Sequence, residues 1–366
     1  AQIILDIRGG TGADIIFFDG FWVSEFASAG LLEPLDAYLK TWKDWPQYLK
    51  SMQSMGSYQG KTYLIPAQTD VRGIYYRKDL FKQAGLPENW APKSYADIYA
   101  AGEALKKIQG VTPIQWNGGT SFGEAATLQG FYMALLSAGG NLYNFSRQKW
   151  VVGGPQMTNA LNFYRELYVN RKLADVNLQL DPKGRDRSFE LFRDGKIGIY
   201  PEGTYMWLGV TGPGAAWEVK NRNEVIGWAP MPTSNGDGKI VTISGGGGHI
   251  LNKNSQNKEL AFEVLTRLNS MDSLNTRATV ATFIPARQDA WAAVFKADPE
   301  IQRQIRTAMP VTTFRPSFPV YTKVSEQVQQ MTEKVIRGVP VAQALADYAK
   351  AVTALVGAGN TTTFPR

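Results

Sequence analysis

A carboxylate and an indole stand three residues apart at Asp19 and Trp22, just after the apolar run 15–18 (IIFF). A carboxylate accepts hydrogen bonds from hydroxyls, and an indole offers a flat apolar face. Together they complement a polyhydroxylated ring. Similar polar-aromatic junctions recur down the chain. Gln68, Asp70 and Arg72 follow Pro66, and the stretch WNGGTSFGE contains Trp116, Ser121, Phe122 and Glu124. Glu202 precedes Tyr205 and Trp207, the run 244–249 contains Gly245 and Gly246, and Arg315 lies between Phe314 and Pro316. Taken singly, each is an ordinary turn beside a core aromatic. Tyr205 and Trp207, at i and i+2, diverge on a helix, so at least one should face a cleft, a wall or solvent. Asp70 and Arg72 read equally as a weak surface ion pair or as an acceptor and a fixed donor fork in a cleft.

Other chemistries find less support. Glu124 and Glu202 could form a glycosidase pair, but nothing in their surroundings marks one as acid and the other as nucleophile. The chain has no cysteine, which excludes disulfides, thiolate metal sites and cysteine nucleophiles. Its one histidine, His249, is too few for a histidine-rich zinc site and lacks a GxSxG elbow. The glycines 245–248 match neither GxxxxGK[ST] nor a GxGxxG that opens a helix, so bare backbone along a groove fits better than a phosphate loop. The net charge of +7 is scattered. Arg165 adjoins Glu166, and Arg185-Asp186-Arg187 reads as solvated surface, so nucleic acid is not an expected partner. No cofactor is expected, and no stretch has the length of a membrane span.

The elements that must position these residues alternate. Residues 15–18, 71–77, 111–116, 196–200, 226–230 and 240–244 read as strands. Residues 95–107, 125–138, 157–169, 187–193, 257–268, 289–295, 320–336 and 341–355 read as helices. Ser94 is the expected N-cap of the first, with Asp97 at N3 as an acidic capping-box variant. The segment 204–208 also reads as helical. This alternation predicts an α/β protein, and 366 residues suit two lobes better than one core.

Five segments in order resemble the family 1 extracellular solute-binding proteins of ABC importers, the maltose-binding-protein group. They are 13–16 through FASAGLLEPLD, YLIPAQTDVRGIYYRKDLFKQAGLP, SFELFRDGKIGIYPEGTYMW, GGGGHILNKNSQNKELAFEVLTRL, and TFIPAR from Thr282 to Arg287. The resemblance implies a two-lobed periplasmic-binding-protein type II fold, with an interlobe ligand cleft that closes about a multi-crossing hinge. It implies one lobe from 1–69 and 245–310 and another from 70–244 and 311–366. By position, 18–22 resembles the first-lobe contacts, and 121–124, Tyr205 and Trp207 the second-lobe contacts. Gln68 to Arg72, 242–245 and Arg315 resemble the crossings. The implied function is non-catalytic capture of a carbohydrate by a periplasmic or extracellular monomer, free or lipid-anchored, that delivers it to the transmembrane subunits of a permease. An anionic solute such as a sugar phosphate is the alternative ligand, and a glycoside hydrolase using Glu124 and Glu202 the alternative class. Family members usually begin with a strand, a helix and a second strand before the segment resembling 3–14, so the resemblance also implies a longer native polypeptide.

Overall fold

The computed structural model describes residues 2–277 and 283–364; Thr282, in the last family-like segment, lies outside them. The chain divides into two compact units. The first comprises Ala1–Asp70, Ser244–Arg306 and Thr313–Thr322, the second Val71–Ile243, Thr307–Thr312 and Lys323–Arg366. This corrects the sequence-based boundaries. Asp70, Ser244 and Thr313–Thr322 belong with the first unit, and residues 307–310 with the second. The segment at 313–322 is held to the first unit by Ser24, whose hydroxyl donates to the Ser317 carbonyl at 2.7 Å, and by Arg315, whose guanidinium lies 4.5 Å from the Phe21 ring centre.

The strands of the two larger sheets are β1 (Ile15–Asp19), β2 (Leu64–Thr69), β3 (Arg72–Arg77), β4 (Thr112–Ile114), β5 (Ile197–Gly203), β6 (Ile226–Ala229), β7 (Gly246–Leu251) and β8 (Ile284–Pro285). In the first unit their order is β1-β7-β2-β8, every pairing antiparallel. Successive strand residues point to opposite faces. Accordingly Leu64 and Ile250 enter one apolar cluster with Phe18, Val23 and Phe26, whereas Ile65 and Leu251 enter another with Leu35, Phe262 and Leu265. The sheet is thus covered on both sides. The glycine run lies inside β7. A Cβ on Gly248 would stand 2.2 Å from the Ile65 carbonyl oxygen, beside a register shift between Gly247 and Gly248. Only bare backbone permits that approach.

In the second unit the order is β6-β3-β5-β4, with β4 parallel to β5 and the other pairs antiparallel. Every residue of β3 and β5 is buried, as expected of strands covered on both faces. Their register sets Arg72 opposite Gly203 and Gly73 opposite Glu202, so two buried charged residues meet at one end of the sheet. The helix Gly123–Ser137 packs against the segment leading from β4. A Cβ on its Gly130 would stand 2.3 Å from the Asn117 carbonyl oxygen.

Two local expectations change. The Ser94 side chain makes no cap hydrogen bond to the helix Tyr95–Leu105; Asp97 instead accepts from the Lys93 N–H at 2.7 Å. The helical stretches expected at 157–169 and 204–208 each contain a wider π-helical turn, at Glu166–Asn170 and Met206–Val210. Among the described residues, no helix is long and apolar enough to cross a membrane.

Candidate functional site

The polar end of the second unit's sheet carries a closed cluster. Glu202 is almost fully buried, and both its oxygens are engaged. Oε1 accepts from Asn117 Nδ2 at 3.1 Å and faces Arg185 Nε at 3.8 Å. Oε2 accepts from the Tyr205 hydroxyl and lies 3.5 Å from Arg72 Nη1. The same hydroxyl accepts from Arg72 Nη1 and from Arg185 Nη2, the latter at 3.1 Å. Both guanidiniums also approach the Tyr205 ring, at 4.8 and 5.8 Å from its centre. The result is a half-buried aromatic ring with planar charged groups over it and at its hydroxyl.

Local folding explains the placement. Arg72 opens β3 and Glu202 nearly closes β5, while Tyr205 follows on the turn after β5, whose Thr204 N–H donates to the Val71 carbonyl at 3.0 Å. Arg185 enters from the first turn of the helix Gly184–Arg193. Burial works against the Arg185 charge, but Tyr205 and Glu202 more than offset this and hold its pKa above the usual arginine value. Tyr200, beneath the cluster, is pushed well above the usual phenol value, first by burial and then by the Glu202 charge.

Beside the cluster lies a cavity of about 10 Å³, lined by Arg72, Asn117, Gln129, Met133 and Glu202 among others. Asn117 is 2% exposed and Gln129 6%. Neither Asn117 Oδ1 nor Gln129 Oε1 accepts a hydrogen bond from a described residue.

The first unit has its own concavity, lined by Phe21, Met55, Gly245, Gly246, Phe314 and Arg315. Arg315 stacks on Phe21, a cation–π geometry. Asp70 accepts from the Gly245 N–H at 2.6 Å, and the Gly245 carbonyl accepts from the Thr69 hydroxyl at 3.0 Å. Asp19 is half-buried at the end of β1, opposite Gly247, and Gln68 lies opposite Gly247 on the other side of β7.

The other expected contacts have these neighbours in the structure. Trp116 is fully buried, its indole donating to the Gly130 carbonyl at 3.1 Å and packing edge-on against Phe163. Trp207 is buried beneath Arg222, whose guanidinium lies 4.4 Å from the indole, so of the Tyr205–Trp207 pair only Tyr205 edges the cluster. Trp22 packs on Phe21 and Phe26 against the first unit's core. Ser121 donates to the Leu180 carbonyl at 2.8 Å, and Phe122 is buried against Gly184. Glu124 is half-buried in the first turn of its helix. His249 stacks edge-on with Phe17. Phe21 lies within the expected 18–22 stretch; Asn117, Gln129 and Arg185 were not among the expected contacts, and the reading of Arg185 as solvated surface is overturned by its bond to Tyr205. Among the described residues, no group of three acidic or histidine side chains could hold a metal ion.

The family model for bacterial extracellular solute-binding proteins matches residues 1–273. The chain belongs to that family. This solute-binding protein is similar to the solute-binding protein of an ABC transporter from Thermotoga lettingae, solved with α-D-tagatose. The identity is 25% and the TM-score 0.84, over 97% of this chain and 88% of that one. It is also similar to the maltose-bound MalE3 of T. maritima, at 23% identity and TM-score 0.83 over 97% and 88%. A maltotriose-binding protein of Pyrococcus abyssi is 23% identical over 238 residues, 64% of this chain and 45% of that protein. These likenesses establish the two-lobed fold of periplasmic binding proteins.

Proposed function

We propose that this solute-binding protein captures a carbohydrate without transforming it and delivers it to an ABC permease, acting as a monomer outside the cytoplasmic membrane. The observation that carries the reading is the Tyr205 cluster. A half-buried aromatic ring offers apolar surface, while Arg72, Arg185 and Glu202 offer donors and an acceptor fixed in place around it. Such a surface matches the alternating apolar and hydroxyl character of a sugar ring. The tagatose and maltotriose in the names of its relatives support the same class. In the first unit, Asp19, Phe21 and Arg315 are the proposed contacts. A hydrolytic role for Glu202 fits less well, because Asn117, Tyr205 and the two arginines already engage both its oxygens.

Isothermal calorimetry across mono- and oligosaccharides tests the proposal. Binding of at least one sugar is expected, weakened by Asp19→Ala with the fold intact. Binding of only another solute class rejects the carbohydrate assignment. One observation favours an anionic ligand as a second reading. Arg185 is a third exposed, its nearest carboxylate oxygen stands 3.8 Å away, and its Nη1 donates to no described residue. An Arg185→Gln loss confined to phosphorylated or acidic sugars would select that reading.

A further inference from the structure

The two amide oxygens in the second unit carry an inference that rests on the carbohydrate reading. We propose that Asn117 Oδ1 and Gln129 Oε1 hold one buried water, and that this water makes the site select a hydroxyl donor on the ligand. Both side chains are more than nine-tenths buried, and both oxygens lack a donor among the described residues. A buried carbonyl oxygen left unmet is costly, so two such side chains lining one cavity call for a shared partner. The cavity of about 10 Å³ has room for one water-sized group and not for a sugar ring.

The occupant follows from donor arithmetic. Two acceptors need two hydrogens from one small group. A ligand hydroxyl has only one, whereas a water has two. A water that gives both hydrogens to the amides turns its lone pairs outward, so whatever meets it must donate. A sugar hydroxyl meets that requirement; an ether, a carboxylate or a phosphate does not. Arg72 and Glu202 line the cavity and also hold Tyr205, so the water adjoins the proposed binding surface. Water-mediated contacts of this kind carry recognition nearly as well as direct ones.

Two measurements test this. A high-resolution crystal structure, with or without sugar, should show a water within hydrogen-bond distance of both amide oxygens. A cavity filled by rearranged side chains, or by the ligand hydroxyl itself, overturns the proposal. Calorimetry then compares a bound sugar with its deoxy and O-methyl analogues. In the unaltered protein the analogue at one ring position should bind at least tenfold more weakly, about 1.4 kcal/mol. In Gln129→Met, which keeps the bulk and removes the acceptor, the difference should fall to within about twofold. Undiminished discrimination in Gln129→Met refutes the role of the water. If no sugar binds at all, the carbohydrate reading fails, and the crystal structure still decides the water.

Discussion

Glu202→Gln isolates the charge at the centre of the second unit's cluster. Glutamine keeps the volume of the side chain and an oxygen that still accepts from Asn117 Nδ2. What disappears is the carboxylate shared by Arg72, 3.5 Å from Oε2, and Arg185, 3.8 Å from Oε1. The side chains of Glu202 and Arg72 are 1% and 6% exposed, so the pair is buried and the rule for buried pairs applies. Removing one partner of such a pair costs about 3–5 kcal/mol, because the remaining charge is stranded. Arg185 is a third exposed and water screens its share, which points to the lower end, about 3 kcal/mol. For a unit of this size that corresponds to a fall in Tm of about 6–12 °C. Calorimetric melting of the ligand-free protein reads the shift. Adding Arg185→Met should recover part of the loss, with a coupling of about 1 kcal/mol or more. A loss below about 1 kcal/mol, or strict additivity of the two substitutions, would refute the view that the cluster is a buried, interdependent unit.

The two neighbours on the π-helical turn should separate cleanly. Trp207→Ala should cost about 3–5 kcal/mol of stability, whereas Tyr205→Phe should cost about 1.5–3 kcal/mol and also weaken sugar binding in calorimetry about tenfold. Alkali should unfold the second unit first. Burial raises the pKa of Tyr95, Tyr164, Tyr168, Tyr200 and Tyr348 above the ordinary value of 10.0. Their contribution is therefore complete below pH 10 and is lost as pH rises beyond it, because the folded state keeps protons that the unfolded chain releases. Each should remove about 1.4 kcal/mol per pH unit there, and a urea midpoint that stays level above pH 10 would contradict this. Gly248→Ala should destabilise the first unit by about 1–3 kcal/mol, since its Cβ would meet the Ile65 carbonyl oxygen at 2.2 Å; unchanged melting would mean that β2 and β7 part without cost.

What the sequence made legible was the strand ends. Asp19, Arg72 and Glu202 are polar residues at the edges of apolar runs, and short continuous apolar runs place such residues at the ends of buried strands. What it left hidden depends on pairing across the fold. Arg185 sits between Lys183 and Asp186 in a charged stretch, and nothing local distinguishes a guanidinium that reaches Tyr205 from one in solvent. Trp116 and Trp207 occupy the same kind of junction as Tyr205, and which aromatic is exposed is settled by the partners of the other two, Gly130 and Arg222. The segment 313–322 belongs to the first unit through Ser24 and Phe21, contacts nearly 300 residues distant in the chain.

Gln129 is the instructive case, because a signal was present. It interrupts an otherwise apolar stretch, LQGFYMALL, within a helix buried along most of its length. A buried amide must find partners or leave its oxygen unmet. Gln179 poses the same problem and solves it within the protein. Its Oε1 accepts from Gln115 Nε2 at 2.8 Å and from the Tyr168 hydroxyl at 3.1 Å, and its Nε2 donates to the Gly118 carbonyl. That glutamine therefore locks the core. The Gln129 oxygen has no such neighbour among the described residues, and Gln129 lines a cavity that shares Arg72 and Glu202 with the Tyr205 cluster. Two buried glutamines thus divide by satisfaction, and the unsatisfied one keeps an acceptor for the water proposed above.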